Sequence, residues 1–410
     1  MSRIVVVGGG FAGLWSAASA ARTRALFAAS EDDLDIVLVA ADPFHTIRVR
    51  CYEADLEPVR LPLDEVLSPI SVRRIEDKVT GVDPAARTLA LAGTGGGTRS
   101  LSYDRLILAS GSSLRRPAIP VAMETFDVDS YAGAHRLAAH LSALTHASRG
   151  ETAARATATA IVIGGGLVGV EIACELPERL HAALGADTPV RVVLIDHGEI
   201  GGDMGEGRGV ILDALAALDI EIRPRTGVAA VNADGVTLDD GTRIPAATVV
   251  FATGMRASAL TQDLGVACDR LGRVSVDRFL KVTGVDDIYA AGDCASAPAD
   301  DLGHVTVMSC QHARPMGRLA GHNAACDLLG RDDERVAFAA PDYVTVLDLG
   351  PCGALYTAGW ERGAVISKGA DAKATKQTIN GNRIYPPRSG SRDAIFAAAA
   401  PVIQARPAVK

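Results

Sequence analysis

Two sets of glycines in this chain are spaced to do chemistry. Gly8, Gly10 and Gly13, with Phe11 and Ala12 between the last two, form G-x-G-x-x-G directly after the apolar run Ile4–Val7. Gly164, Gly166 and Gly169, enclosing Leu167 and Val168, repeat the pattern in the same frame 156 residues later, after Ile161–Ile163. In such a loop the first glycine permits a tight turn and the second lets the backbone approach a pyrophosphate. The third lets the following helix pack closely, and the N–H groups of its first turn face the anion. Two such cradles favour two dinucleotides, a flavin beside a nicotinamide.

Acids and small residues at other strand ends extend the reading. Asp196 closes the strand Val192–Ile195, where a carboxylate binds a ribose 2′-hydroxyl and repels a 2′-phosphate, so NADH is expected over NADPH. His197 beside it would weaken that preference. Gly292 and Asp293 follow the strand-like Ile288–Ala291 and can place a carboxylate on a ribitol hydroxyl, with N–H groups facing a flavin phosphate. In the first fold the equivalent strand, Leu34–Val39, ends in Ala40 and Ala41. There Asp42 either serves the ribose or caps the turn before Pro43. The residues that follow, Phe44, His45, Arg48, Arg50 and Tyr52, either face the flavin or form an exposed loop. Glu171 stands two residues after Gly169, where the helix dipole favours an acid, so a structural role is as open as a functional one.

These residues need two open parallel sheets to position them. β-Branched runs predict buried central strands at each glycine loop. Ala109-Ser110-Gly111 and Ala252-Thr253-Gly254 end apolar strands in small turns suited to crossovers between domains, where a side chain would obstruct a ligand. Ser71–Leu108 reads as short alternating strands with a turn at Gly93–Thr98, and Tyr131–Leu144 as a helix. Ser148-Arg149-Gly150 and the Ala/Thr-rich run after it read as a surface linker. Because Asp293 lies beyond the nicotinamide fold, the flavin domain must be interrupted and resumed. The expected fold class is α/β: two Rossmann-like dinucleotide-binding domains, the second inserted in the first, plus a small C-terminal α+β region. The expected boundaries are 1–121 and 255–335 for the FAD domain, 122–254 for the NAD(H) domain and 336–410 for the C-terminal region.

Composition narrows the partners. The net charge of −8 argues against nucleic acid, and no run approaches the roughly 18 apolar residues of a membrane span. The seven scattered cysteines form no C-x-x-C pair, so Cys51 is expected to be a packing residue and no metal site is expected. The chain enters its first strand at once, with no secretory leader, and a cytoplasmic setting follows. Residues 362–410 carry nine Lys or Arg against two Asp, a balance of +7 on a body of −15. With the apolar decapeptide Ala394–Ile403, this tail either meets anionic lipid at the inner face of a membrane or packs back on the acidic domains.

In this order GGGFAG, LASG, GGGLVGVE, FATG and YAAGD resemble the two-dinucleotide-binding flavoproteins, the pyridine nucleotide-disulfide oxidoreductase superfamily. Within it the chain looks most like the type II NADH dehydrogenases, through Phe44-His45, Tyr52-Glu53, Gly169-Val170-Glu171 and Cys310-Gln311-His312-Ala313-Arg314-Pro315. The last segment is similar to A-Q-x-A-x-Q, but Pro315 replaces the second Gln. The resemblance implies FAD and NAD(H) as cofactors and a small-molecule electron acceptor, a quinone. It also implies that Glu171 lies near the nicotinamide, that Gln311 hydrogen-bonds an acceptor carbonyl, and that Lys376 is a fixed positive charge or merely solvated. The alternatives are a sulfide:quinone oxidoreductase, which would need paired cysteines and for which Cys352 lacks a partner between Cys51 and Cys174, a ferredoxin- or rubredoxin-type reductase, and an NADH-sensing flavoprotein.

Overall fold

A computed structural model describes residues 2–93, 96–144 and 151–402. The apolar run at the start forms the strand Ser2–Val7, buried from Ile4 onwards, in the interior of a seven-stranded sheet. Leu34–Ala40 lies parallel on one side and Arg105–Leu108 on the other, and Ile288–Ala290 adds parallel to Arg105–Leu108. Beyond Leu34–Ala40 the long strand Arg73–Asp83 pairs parallel through Arg73–Glu76. From Asp77 it continues into an antiparallel meander with Thr88–Gly93 and Thr98–Ser102.

The second sheet repeats the inner order in a smaller format. Thr159–Ile163 is flanked by Arg191–Ile195 and Thr248–Phe251, with Ile220–Arg223 outside, all parallel. In both sheets the strand order reverses at the strand that precedes the glycine loop. That reversal opens a crevice at the carboxyl ends of the strands, where open α/β sheets take their ligands.

Two short antiparallel strands join the halves. Ser112–Leu114, just past Ala109-Ser110-Gly111, pairs with Met255–Ala257, just past Ala252-Thr253-Gly254. The chain therefore leaves the first sheet and returns beside its own exit, and Ile288–Ala290 then rejoins that sheet. The fold is the α/β pair of Rossmann-like units expected from the glycine loops.

The helix Cys310–Leu328 lies along the first glycine helix, Phe11–Leu26. The crossing is close because Gly317 and Gly321 carry no side chain. A Cβ on either would stand 2.3 Å from the carbonyl oxygen of Ala12 or 2.0 Å from that of Ser16. The contact places the first turn of Cys310–Leu328 over the mouth of the first loop.

The remaining chain forms a three-stranded antiparallel sheet, Val344–Asp348, Ala354–Ala358 and Ala364–Lys368, covered by the helix Gly369–Thr378. Two expectations need correction or completion. The Ala/Thr-rich run read as linker forms the helix Glu151–Thr157, while Ser148-Arg149-Gly150 lie outside the described residues. Within the apolar segment of the tail, Ile395 of the helix Arg392–Ala398 is fully buried, as is Ala399 just beyond it, and both join the core of the first domain, while Val402 is exposed. Ile403, Arg406 and Lys410 of the tail lie outside the described residues. Among the described residues no helix is long and apolar enough to cross a membrane.

Candidate functional site

The two glycine loops are near copies in geometry. Gly8 and Gly164 take φ of +111° and +116°, a region that side chains avoid, and a Cβ on them would strike the carbonyls of Ala109 and Ala252. Gly13 and Gly169 each face the carbonyl of the loop's first glycine, with no room for a side chain. At Gly10 and Gly166 the case differs, since a Cβ would meet nothing within 4 Å. Each of these middle glycines caps its helix without a side-chain hydrogen bond, so the first N–H groups remain for a ligand. An open position above uncapped amides is the form a pyrophosphate requires, so both loops fit a dinucleotide.

A cavity of about 1230 Å³ runs from the first loop to the C-terminal sheet. Gly8, Gly10, Phe11 and Ala12 form one end, with Ala109, Gly111, Gly292 and Asp293 beside them. Leu167, Val168 and Glu171, from the helix after the second loop, line a wall, and Gln311 and Lys376 line the far part. Gly13, Ser110, Gly164, Gly166, Gly169, Thr253 and Gly254 are not part of its lining, and neither is Asp196. The second loop and Asp196 thus stand at the edge of the smaller sheet, outside the shared cavity.

Several expected cofactor residues have partners in the chain itself. Asp293 accepts a hydrogen bond from Ser112 Oγ at 2.6 Å and lies 3.5 Å from Arg48 Nη1. Arg48 also donates to Ser112 Oγ at 2.9 Å and pairs with Asp129 at 2.5 Å, so one guanidinium ties the exit strand to the Gly-Asp turn. Asp42 lines the cavity, accepts from the Phe44 N–H at 2.8 Å and pairs with Arg60; it therefore does cap the turn around Pro43. His45 is buried beneath the loop, outside the lining, with Nδ1 2.9 Å from the Gly9 carbonyl and its ring edge-on to Phe11. A carbonyl only accepts, so Nδ1 carries the proton. Burial pushes the His45 pKa down to about 4, which keeps the ring neutral. In the second fold Asp196 accepts from the N–H groups of Gly165 and Gly198, each at 2.6 Å, while His197 is solvent-exposed with Nδ1 3.3 Å away. Thr253 donates to the Arg115 carbonyl.

The titratable centre of the cavity is a pair the sequence did not join. Lys376 Nζ, from the helix Gly369–Thr378, donates to Glu171 Oε1 at 2.7 Å and to the Val346 carbonyl at 2.9 Å. Both side chains are buried. Burial pushes the Glu171 carboxyl up from its ordinary range. Burial works to lower Lys376, but Glu171 and then Asp348 outweigh it and hold the ammonium above its usual value. The Asp348 N–H donates to Glu171 Oε1 at 3.2 Å. The Asp348 carboxylate receives Lys373 Nζ at 2.6 Å and Tyr52 OH at 3.2 Å. Glu175, one turn beyond Glu171, is pushed up to about 7 by burial and then by Asp348. Sequence reading missed Asp348, Lys373, Ser112 and Asp129, because nothing local marks them. Asp348-Leu349-Gly350 at a strand end was the one available hint.

Gln311 lies in the first turn of Cys310–Leu328, and its Nε2 donates to the Asp342 carbonyl at 3.0 Å. Pro315, four residues on, has no N–H, so the Gln311 carbonyl lacks its usual helical partner. His312, Tyr343 and Trp360 stack alongside, with centroids 5.3 to 5.7 Å apart. All seven cysteines are free, and burial pushes Cys51 up to about 12, which suits a packing residue.

Residues 2–317 match the family described as pyridine nucleotide-disulphide oxidoreductase. The chain is 52% identical over 412 residues to the NADH dehydrogenase-like protein Rv1812c of Mycobacterium tuberculosis, covering 99% of this chain and 100% of that one. It is 29% identical over 330 residues to the type II NADH:quinone oxidoreductase Ndh of the same organism, covering 72% of this chain and 67% of that one. Among solved structures, NDH2 from Plasmodium falciparum in complex with NADH superposes with a TM-score of 0.79 at 12% identity, over 97% of each chain. The sulfide:quinone oxidoreductase of Aquifex aeolicus superposes at 0.73 and 20% identity, over 96% of this chain and 92% of that one. These two share the fold.

Proposed function

The chain belongs to the pyridine nucleotide-disulphide oxidoreductase family, and on that footing we propose that it is an NADH dehydrogenase delivering electrons to a quinone-type acceptor. Its class is that of an NAD(P)H oxidoreductase with FAD and NAD(H) as cofactors. Bound FAD supplies the redox chemistry, accepting hydride equivalents from NADH and releasing electrons to the acceptor. Gly8–Gly13 and the Gly292-Asp293 turn would hold its pyrophosphate and ribitol, while the loop at Gly164–Gly169 and Asp196 would hold the nicotinamide dinucleotide.

The observation that carries the proposal is the Glu171–Lys376 pair in the wall of the large cavity. Reduction of a quinone by NADH consumes one proton beyond the hydride: NADH, quinone and H⁺ give NAD⁺ and quinol. Glu171, paired with Lys376 at the cavity wall, is a group that can relay that proton. Lys376 keeps a positive charge where an acceptor oxygen gains negative charge. Gln311, with its amide nitrogen fixed on Asp342, offers a hydrogen-bonding group at the same end. The largely apolar remainder suits a quinone ring. The NADH dehydrogenase-like relative at 52% identity supports the donor side, and the quinone oxidoreductase at 29% supports the acceptor.

The testing experiment is anaerobic reduction of the purified holoenzyme by NADH or NADPH, followed by a panel of acceptors. The proposal expects faster bleaching of the flavin by NADH, then rapid reoxidation by short-chain quinones. Reoxidation by ferredoxin-type proteins but not by quinones would replace the acceptor assignment. No reoxidation by either, with a long-lived reduced state, would favour a sensing role.

A further inference from the structure

The wall that carries Glu171 and Lys376 has a far side. Glu171, Lys376 and Tyr52 line the large cavity, whereas Asp348, Lys373 and Glu175 do not. Glu175 stands one turn beyond Glu171 on the helix Leu167–Leu184, and Asp348 ends the strand Val344–Asp348. Asp348 joins the two groups. Its N–H donates to Glu171 Oε1 at 3.2 Å, and its carboxylate accepts from Tyr52 OH at 3.2 Å, both on the cavity side. From the other side Lys373 Nζ reaches the same carboxylate at 2.6 Å.

Exposure rises along this line. The Asp348 side chain is 7% exposed and that of Lys373 27%, so the groups run from the cavity wall to solvent. Glu175, half-buried, is the acid at the outer end. The charged groups facing it are Asp348 from the strand, Lys373 from the helix Gly369–Thr378, and Arg179 and Glu178 from its own helix. Burial and then Asp348 push Glu175 up to about 7, while Lys373 and Arg179 pull the other way. A carboxyl placed so takes up and releases a proton near neutral pH, where transfer is most efficient. Glu171 itself is buried and has no such access to water.

We propose that Glu175, Lys373 and Asp348 form the inlet through which protons from solvent reach Glu171 and the acceptor end of the cavity. A proton bound by Glu175 would pass by way of the Asp348 carboxylate to Glu171, and from Glu171 to the acceptor oxygen. Each carboxyl then returns to its starting state, and one proton enters for each hydride equivalent passed on. The Lys373 ammonium balances the carboxylates while the proton moves. Glu175 is thus a positioning residue that acts through Glu171. The inlet rests on the reading of Glu171 as the relay to the acceptor.

The test follows reoxidation of the NADH-reduced, full-length holoenzyme by three acceptors. Ferricyanide takes electrons and needs no proton, dichlorophenolindophenol takes two electrons and two protons, and a short-chain quinone does the same. Glu175→Gln, at a half-buried position, should slow the dye and the quinone about tenfold and leave ferricyanide within about twofold. Its solvent deuterium isotope effect with the dye should exceed that of wild type, and Glu175→Asp should recover much of the rate. Equal slowing of ferricyanide and dye would make Glu175 a structural residue and overturn the inlet. Unchanged dye rates with an unchanged isotope effect would overturn it as well. Reduction of the dye but of no quinone by wild type would remove the quinone assignment alone, since the dye still decides the inlet. A second readout needs no turnover. The folded carboxyl holds a proton that the unfolded one releases near the ordinary 4.5, so wild type loses stability as pH rises towards about 7. The urea midpoint of Glu175→Gln should therefore gain on wild type across that range, and a constant difference would contradict the inlet.

Discussion

Lys376 Nζ stands 2.7 Å from Glu171 Oε1, across 205 residues of chain, with both groups withdrawn from solvent. The contact fastens the helix Gly369–Thr378 to the helix that leaves the second glycine loop, at the wall of the large cavity. Removing one partner of a buried pair leaves the other charge uncompensated, which costs about 3–5 kcal/mol. Lys376→Met should therefore lower the urea midpoint markedly, and the double variant Glu171→Gln/Lys376→Met should recover much of the loss. Equal losses in the single and double variants would show that the lysine's stem, not its charge, matters.

Asp196 sets the expected nucleotide preference. Its carboxylate is fixed by two backbone N–H groups at the edge of the second sheet, where a 2′-phosphate would meet negative charge. Asp196→Ser should narrow the NADH-to-NADPH ratio of kcat/KM by about tenfold, which corresponds to roughly 1.4 kcal/mol. An unchanged ratio would remove Asp196 from the role.

Asp293 has two jobs in this structure, since it receives Ser112 and faces Arg48 as well as the cavity. Loss of a charged hydrogen bond to a ligand hydroxyl costs about 1.5–3 kcal/mol. Asp293→Ala should purify with little FAD and rebind it weakly, as read from the flavin absorbance after dialysis. Full occupancy at wild-type affinity would leave the Gly-Asp turn a structural feature only.

Both dinucleotide folds were legible because each is announced locally. Each has a β-branched run directly before a glycine spacing, the second adds the terminal acid Asp196 within some 35 residues, and the crossover turns repeat between the halves. The pairing of Glu171 with Lys376 was not legible. Each residue was singled out alone, but their contact depends on how the C-terminal sheet docks, and no short-range pattern encodes that. The same holds for Arg48, whose partners Ser112, Asp129 and Asp293 come from three distant segments. The apolar decapeptide of the tail left packing and membrane contact open. In the helix Arg392–Ala398, Ile395 joins the core of the first domain.

Asp327 gives a pH-dependent stability. Burial opposes its ionisation, but Arg105 and Tyr289 donate to it and hold its pKa down to about 2 from the ordinary 3.8. A carboxylate with a lowered folded-state pKa adds stability above its unfolded value and loses it as pH falls through the folded one. Asp327→Asn should be less stable than wild type at pH 7 by about 2 kcal/mol. That gap should shrink as pH falls from about 4 towards 2. Denaturant titrations at several pH values check this, and a constant gap would contradict it.

In the proposed function the part of the cavity lined by Glu171, Lys376 and Gln311 serves the acceptor half-reaction. Stopped-flow measurement of the two half-reactions in Glu171→Gln and Gln311→Leu tests it most directly. Flavin reduction by NADH is expected within about twofold of wild type in Gln311→Leu, and reoxidation by a short-chain quinone is expected to slow at least tenfold in both variants, in the range for loss of a proton relay or hydrogen bond. Reoxidation at the wild-type rate in both variants, with reduction alone impaired, would contradict it.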